Sequence, residues 1–259
     1  MRTLSFIVGL FFLILVGNVV TAAFEGYVLH VDVNDYASYY LLAHKNPLAG
    51  TSYDVGNGKT FSVSYDASIL NVSFSGESFC IPIQTVLAKR SDGDIYSYGF
   101  YYCGAGSVSI KSNDTSFEAS NSTIYVDPSD HNPPHNFEIL VQNNNSVGTL
   151  KFYVDAKEVS DGSINTAFAS VLEVTSGTKN TGAMYDLYID NVVEKIDIFT
   201  AEENFDDQKD DYFNSDQSSG SATKEIVPAS SVPFFSSSLT SGAVLLLVLF
   251  SGIWFLRKR

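Results

Sequence analysis

The chain is poor in the residues that build most catalytic and metal centres. Its 259 residues include two cysteines, four histidines, one tryptophan and two methionines. With no Cys-x-x-Cys pair and so few histidines, a structural zinc site lacks ligands. Basic residues are also scarce, 15 against 29 acidic ones, for a net charge of −14. Arg2, Arg257, Lys258 and Arg259 lie in the terminal segments, so the rest carries 11 basic residues against 29 acidic, or −18. A surface of that sign repels a phosphate backbone and excludes nucleic acid as a partner. It suits a solvated extracellular surface, or one that gathers calcium. No window keeps a helical apolar stripe for three turns. No Gly-x-Ser-x-Gly elbow occurs, and no Glu-x-Asp-x-x-Glu strand of the kind sandwich glucanases use. Glu194 and Asp197 are three apart and point to opposite faces of a strand. His131 and His135 flank an Asn-Pro-Pro loop rather than sharing a helix. The sequence therefore shows no recognisable catalytic motif, although a Ser-His-Asp set whose members lie far apart would leave no such signature.

What is present begins at the ends. Residues 1–23 run from Arg2 through an apolar stretch to Thr21, Ala22 and Ala23, the layout of a cleavable signal helix. Gly242–Leu256 is apolar but for one serine, and 234–256 is long enough to span a bilayer as a transmembrane helix. Arg257, Lys258 and Arg259 close it, which places the C-terminus on the cytoplasmic side and the bulk of the chain outside. Lipid-anchor and sorting signals also end in apolar tails, but the first is not closed by basic residues and no sorting motif is recognisable here. The expectation is a single-pass protein of the cell membrane with an extracellular domain. Export places Cys80 and Cys103 in an oxidising compartment, where a disulfide is expected. Asn71, Asn113, Asn121 and Asn144 each open an Asn-x-Ser/Thr sequon, consistent with a glycoprotein.

From about residue 24 to 200, short stretches rich in Val, Ile, Phe and Tyr alternate with Gly, Asn, Asp and Ser. This is the all-β signal. Strands are predicted at 27–33, 60–65, 68–74, 83–89, 95–103, 106–110, 123–126, 137–142, 149–154, 168–174, 185–190 and 193–199. So many strands in one unit imply a two-sheet antiparallel sandwich or jelly roll. Residues 201–233 are acidic and then Ser-rich, and read as a linker or stalk. The spacing of Asp206, Asp207, Asp210 and Asp211 matches no calcium loop, so a solvated run is the simpler reading.

Residues 90–94, Arg-Ser-Asp-Gly-Asp, signal a turn between two strands. A hairpin pairing 90 with 95 has partners summing to 185, and Cys80 with Cys103 sums to 183. One bulge or register step makes them direct neighbours. On the second strand, Tyr96, Tyr98, Phe100 and Tyr102 share one face. Either that row fills the core, or it is an exposed platform on which sugar rings stack. Three of its four rings carry a hydroxyl that needs a partner when buried.

The stretch 137–198 contains a strand, a polar turn, "GTLKFYVDAKEV", another strand and "GAMYDLYIDNVVEKIDI". It resembles the late strands of concanavalin A-like, laminin-G-like jelly rolls. There an Asp-Gly hairpin turn joins two strands, where this chain has Asp155 followed by Ala156. The last element runs apolar-x-apolar-Asp-Asn-apolar, here Tyr188 to Val192. The resemblance implies a sandwich with a curved face that binds glycans or proteins, and some relatives are glycosidases or lyases. Asp190 and Asn191 are expected to bond nearby backbone. Two functions follow from these readings. One is a glycan-binding module using the ring row. The other is a structural or adhesive surface protein with a cell-surface protein partner. An unrecognised glycoside hydrolase is the third, and it would need two carboxylates held across a sugar.

Overall fold

The structure, a computed structural model, describes residues 24–45, 53–56, 58–76, 79–103, 107–124 and 134–233. Its strands in chain order are β1 (Tyr27–Val33), β2 (Tyr39–His44), β3 (Tyr53–Asp54), β4 (Thr60–Phe74), β5 (Cys80–Arg90), β6 (Ile95–Cys103), β7 (Ser107–Ser112), β8 (Glu118–Ala119) and β9 (Thr123–Ile124). There follow β10 (His135–Asn144), β11 (Val147–Val154), β12 (Lys157–Ile164), β13 (Phe168–Thr178), β14 (Ala183–Ile196), β15 (Phe199–Glu203), β16 (Gln217–Ser219) and β17 (Thr223–Pro228). A single 3-10 turn, Ala229–Ser231, follows β17.

Two sheets result. The first has the order β17-β1-β14-β4-β10-β11-β12-β8, with β15 beside β14. The second has the order β16-β2-β13-β5-β6-β7-β9, with β3 beside β13. The ladders are antiparallel throughout, as in the expected jelly-roll sandwich. Strict alternation builds them. In β11 the even positions from Gly148 to Val154 turn inward and the odd ones outward. Phe61, Val63 and Tyr65 of β4 face Val86, Tyr98 and Phe100 of the opposite sheet within one apolar core. Each ring so buried contributes roughly 1.5–3 kcal/mol.

Several boundaries move. The strands predicted at 60–65 and 68–74 are one strand, β4. Those at 185–190 and 193–199 are β14, with a register shift between Asp190 and Val193 and an end at Ile196. Strand β2 was not expected, because it has no alternation, and the largely polar β12 was anticipated only by the jelly-roll resemblance, which puts a short return strand there.

Residues 201–233 are not a stalk. β16 pairs with β2 and β17 with β1, so this segment completes both sheets. Phe205, Tyr212 and Phe213 are buried in the main core. Its acids are held: Lys224 bridges Asp210 and Asp216, and Asp206 accepts the Tyr27 N–H. The average composition looked disordered because three deeply buried rings were diluted among charges. The folded unit therefore runs to Val232. The signal segment, residues 1–23, and the spanning segment, 234–256, lie outside the described residues. Among the described residues no helix is long and apolar enough to cross a membrane.

The hairpin prediction holds in kind, with the register one step from the expected one. Arg90 N–H donates to Asp94 and Gly93 takes φ 101°, so partners sum to 184 rather than 185. A shift between Pro82 and Gln84 supplies the remaining step. Cys80 and Cys103 then sit directly opposite and are disulfide-bonded.

Candidate functional site

The ring row does not form a platform. Tyr98, Phe100 and Tyr102 are buried, and Tyr96 is partly buried at the rim beneath the Arg90 guanidinium. Phe100 meets Phe137 and Phe152 of the other sheet at centroid distances of 5.1 and 5.4 Å. Tyr98 lies between Phe117 and Phe168 and donates its hydroxyl to Asp114 at 2.7 Å. Burial alone would raise the Asp114 pKa, but bonds from Ser116 and Tyr98 and the Arg90 charge bring it below the usual value. That buried carboxylate is the partner the tyrosine hydroxyl needed, and it lies sixteen residues away in sequence. The opposite face carries Ser97 and Gly99 because β5 crowds it. A Cβ on Gly99 would stand 2.2 Å from the Gln84 carbonyl oxygen.

With that row inside, an extended polar surface remains on the outer face of the first sheet. Register defines it. Glu202, Val193, Ser64, Glu138, Tyr153 and Glu158 lie side by side across β15, β14, β4, β10, β11 and β12. The next row holds Lys195, Ser62, Leu140, Lys151 and Asp161. Thr60, Ser62 and Ser64 give β4 short side chains, while β14 and β10 on either side carry Val193, Lys195, Glu138 and Leu140. The short row forms the floor of a shallow trough. Ser62, Ser64, Glu138, Gln142 and Tyr153 are each half-buried. Glu158 accepts bonds from Lys151 at 2.8 Å and from the Tyr153 hydroxyl at 3.3 Å, which fixes the ring at one flank. The signal for this face was in the sequence: "TFSVSYD" alternates small polar with large apolar residues. Only the identity of the neighbouring strands turns it into a trough.

At the head of the trough stand two carboxyl groups on paired residues, Asp190 and Asp66. Burial pushes the Asp190 pKa up to about 7, with a contribution from Asp66. Asp190 accepts the Asn191 N–H, as expected of a structural residue. Asp66 accepts amide hydrogens from Asn136 and Asn191, one at each oxygen, both at 2.8 Å. Asp190 is sealed from solvent and both Asp66 oxygens are engaged by side-chain amides, whereas glycoside hydrolysis needs an acid and a base open to the sugar.

Three other polar sites lie apart from the trough. His30 on β1 lies between Asp186, at 2.9 Å, and Glu225, at 3.2 Å, and stacks on Tyr188. Burial would lower its pKa, but the two carboxylates outweigh that and raise it. His44, Glu194 and Tyr212 form a buried set. The Tyr212 hydroxyl donates to Glu194 at 2.6 Å, and His44 Nε2 stands 3.8 Å from the same carboxylate. Burial lowers the His44 pKa and keeps the ring neutral. A cleft of about 710 Å³ at one end of the sandwich is lined by Asp54, Ser91, Asn143, Asn144 and Phe168. Its central amide, Asn143, is committed to the backbone of Val55 and Phe168.

Among the described residues no group of three or more His, Cys, Asp or Glu is placed to hold a metal ion. His131 lies outside the described residues, and His135 pairs with Asp155 at 2.8 Å. The four sequon asparagines, Asn71, Asn113, Asn121 and Asn144, are all exposed. Asn71 also donates to Asp186.

No protein-family model matches the chain, and no curated protein matches it. Solved structures do show a likeness. A sialidase aligns over 65% of this chain and 15% of its own, at 12% identity and a TM-score of 0.43. Alginate lyase AlyC3 aligns over 61% of this chain and 75% of its own, at 12% identity and a TM-score of 0.35. A family 7 alginate lyase, A1-II′, aligns over 68% of this chain and 93% of its own, at 9% identity and a TM-score of 0.36. The chain thus spans less than a sixth of the sialidase. At these scores nothing about chemistry rests on the likeness.

Proposed function

We propose that this sandwich is displayed outside the cell and binds a glycan along the trough on the outer face of its nine-stranded sheet. The observation that carries the reading is the strip of half-buried hydroxyl, amide and carboxylate groups from Ser62, Ser64, Glu138 and Gln142, flanked by the Tyr153 ring. Sugars present hydroxyls that both donate and accept, and apolar ring faces that stack on aromatics. A row of mixed donors and acceptors beside a fixed tyrosine matches both. The Cys80–Cys103 disulfide and the exposed sequons support an oxidising, exported setting.

The test is a glycan panel against residues 24–233 with the disulfide intact, with and without calcium. Tyr153→Ala removes the ring, and Ser64→Leu fills the trough floor. Both lie on the outer face, so both variants should melt cooperatively and lose binding. Glycan binding that survives both substitutions places the site elsewhere. A cooperatively folded protein that binds no glycan moves the reading to a cell-surface protein partner.

A further inference from the structure

Five large apolar side chains are well exposed among the described residues, and four of them sit at one end of the sandwich. Ile198 and Phe199, 83% and 58% exposed, form the tip between β14 and β15. Asp197, at φ 55°, turns the chain there and donates its N–H to Thr60, the first residue of β4. Thr60 pairs with Gln142, so the β10–β11 turn and exposed Val147 lie at the same end. Exposed Ile95 follows the β5–β6 turn, whose Ser91 lines one cleft with Asn144 and Asn145. The fifth residue, Tyr36, is at the opposite end, bonded to Ser73.

A single exposed isoleucine is ordinary. Two successive apolar residues at the apex of a hairpin, with Val147 and Ile95 exposed at the same end, are a candidate contact surface. The direction of the chain indicates the partner. β17 runs from Thr223, opposite Asp32, to Pro228, opposite Tyr27, toward the end that carries Ile198 and Phe199; the Ala229–Ser231 turn then packs Val232 in a cluster with Val28, Leu70 and Tyr188. The folded unit ends at Val232. On the reading of 234–256 as the span, Pro233 alone separates the two, which holds the folded unit against the membrane surface.

We propose that the Ile198–Phe199 tip is a lipid contact, inserted into the interfacial layer of the bilayer that residues 234–256 span. This rests on the reading of 234–256 as an anchor. Apolar side chains at the level of the headgroups bury area without crossing the membrane, and aromatic rings are enriched there. The net charge of −18 on the domain disfavours anionic lipid, so the fitting surface is zwitterionic.

The experiment uses the full chain reconstituted into phosphatidylcholine vesicles. Its only tryptophan is Trp254, so Trp254→Phe gives a silent background. Phe199→Trp and, separately, Ile198→Trp then report on the tip, and Tyr36→Trp reports on the far end. Lipids brominated on their acyl chains should quench emission at 198 and 199, with a shift to shorter wavelength, and leave position 36 unquenched. Vesicle-bound chain with no quenching at either tip position overturns the proposal. A blue shift without quenching means protein covers the tip, and overturns it too. A chain that does not float with the vesicles removes the anchor and the proposal together.

Discussion

Replacing Asp190 by asparagine should stabilise this protein at neutral pH, and the gain should vanish in acid. Asp190 is 2% exposed and its folded pKa is about 7, against an ordinary 3.8. Between those values the folded state holds a proton that the unfolded chain releases. Stability therefore falls as pH rises through that window. At 1.36 kcal/mol per unit, the full gap corresponds to about 4 kcal/mol once pH passes 7. Asn keeps an oxygen to accept the Asn191 N–H and carries no charge to bury. The expected gain at pH 7.5 is on the order of 2–4 kcal/mol, since relaxation around a charged Asp190 recovers part of the penalty. Urea melts of wild type and Asp190→Asn at pH 4, 5.5, 7 and 8, under non-reducing conditions, measure it. The two stability curves should nearly meet at pH 4 and diverge steadily above it. Taking the difference cancels other groups, such as His30, that titrate in both proteins. Parallel curves from pH 4 to 8 would show that Asp190 ionises normally and refute the reasoning.

Two further substitutions test the core and a turn. Tyr98→Phe keeps the ring packed between Phe117 and Phe168 but removes the bond to Asp114, and should cost roughly 1.5–3 kcal/mol in a denaturant melt. A neutral result would place that hydroxyl in water. Ala156→Gly should stabilise by about 0.5–1 kcal/mol, because Asp155 and Ala156 both sit at positive φ, 51° and 61°, in the β11–β12 turn. A lowered midpoint for this variant would mean that the turn does not hold that conformation.

The reach of sequence reading differs from element to element. β1 and β6 fall at their predicted limits because each is a short run rich in β-branched and aromatic residues bounded by turn residues. The disulfide was legible because a hairpin fixes its own register once the turn is placed. The Asp155–Ala156 turn stands where the jelly-roll resemblance put a hairpin, with alanine in a conformation glycine prefers. The acidic segment after residue 200 was misread because Phe205, Tyr212 and Phe213 gain burial only from strands far away in sequence.

The local pattern of residues by itself determined that this chain is all-β, that its two cysteines fall near-opposite across a hairpin, and that its acidic residues outnumber its basic ones, 29 to 15. Those properties depend on period, spacing and charge, which a sequence displays directly. Only the tertiary structure decided which face of β6 is the core. The four rings are equally consistent with a platform until Asp114, Phe137 and Phe152 arrive to satisfy and enclose them. It also decided which strands border β4. The trough exists because β4 is flanked by β14 and β10, and strand order is set by long-range pairing that no local pattern encodes.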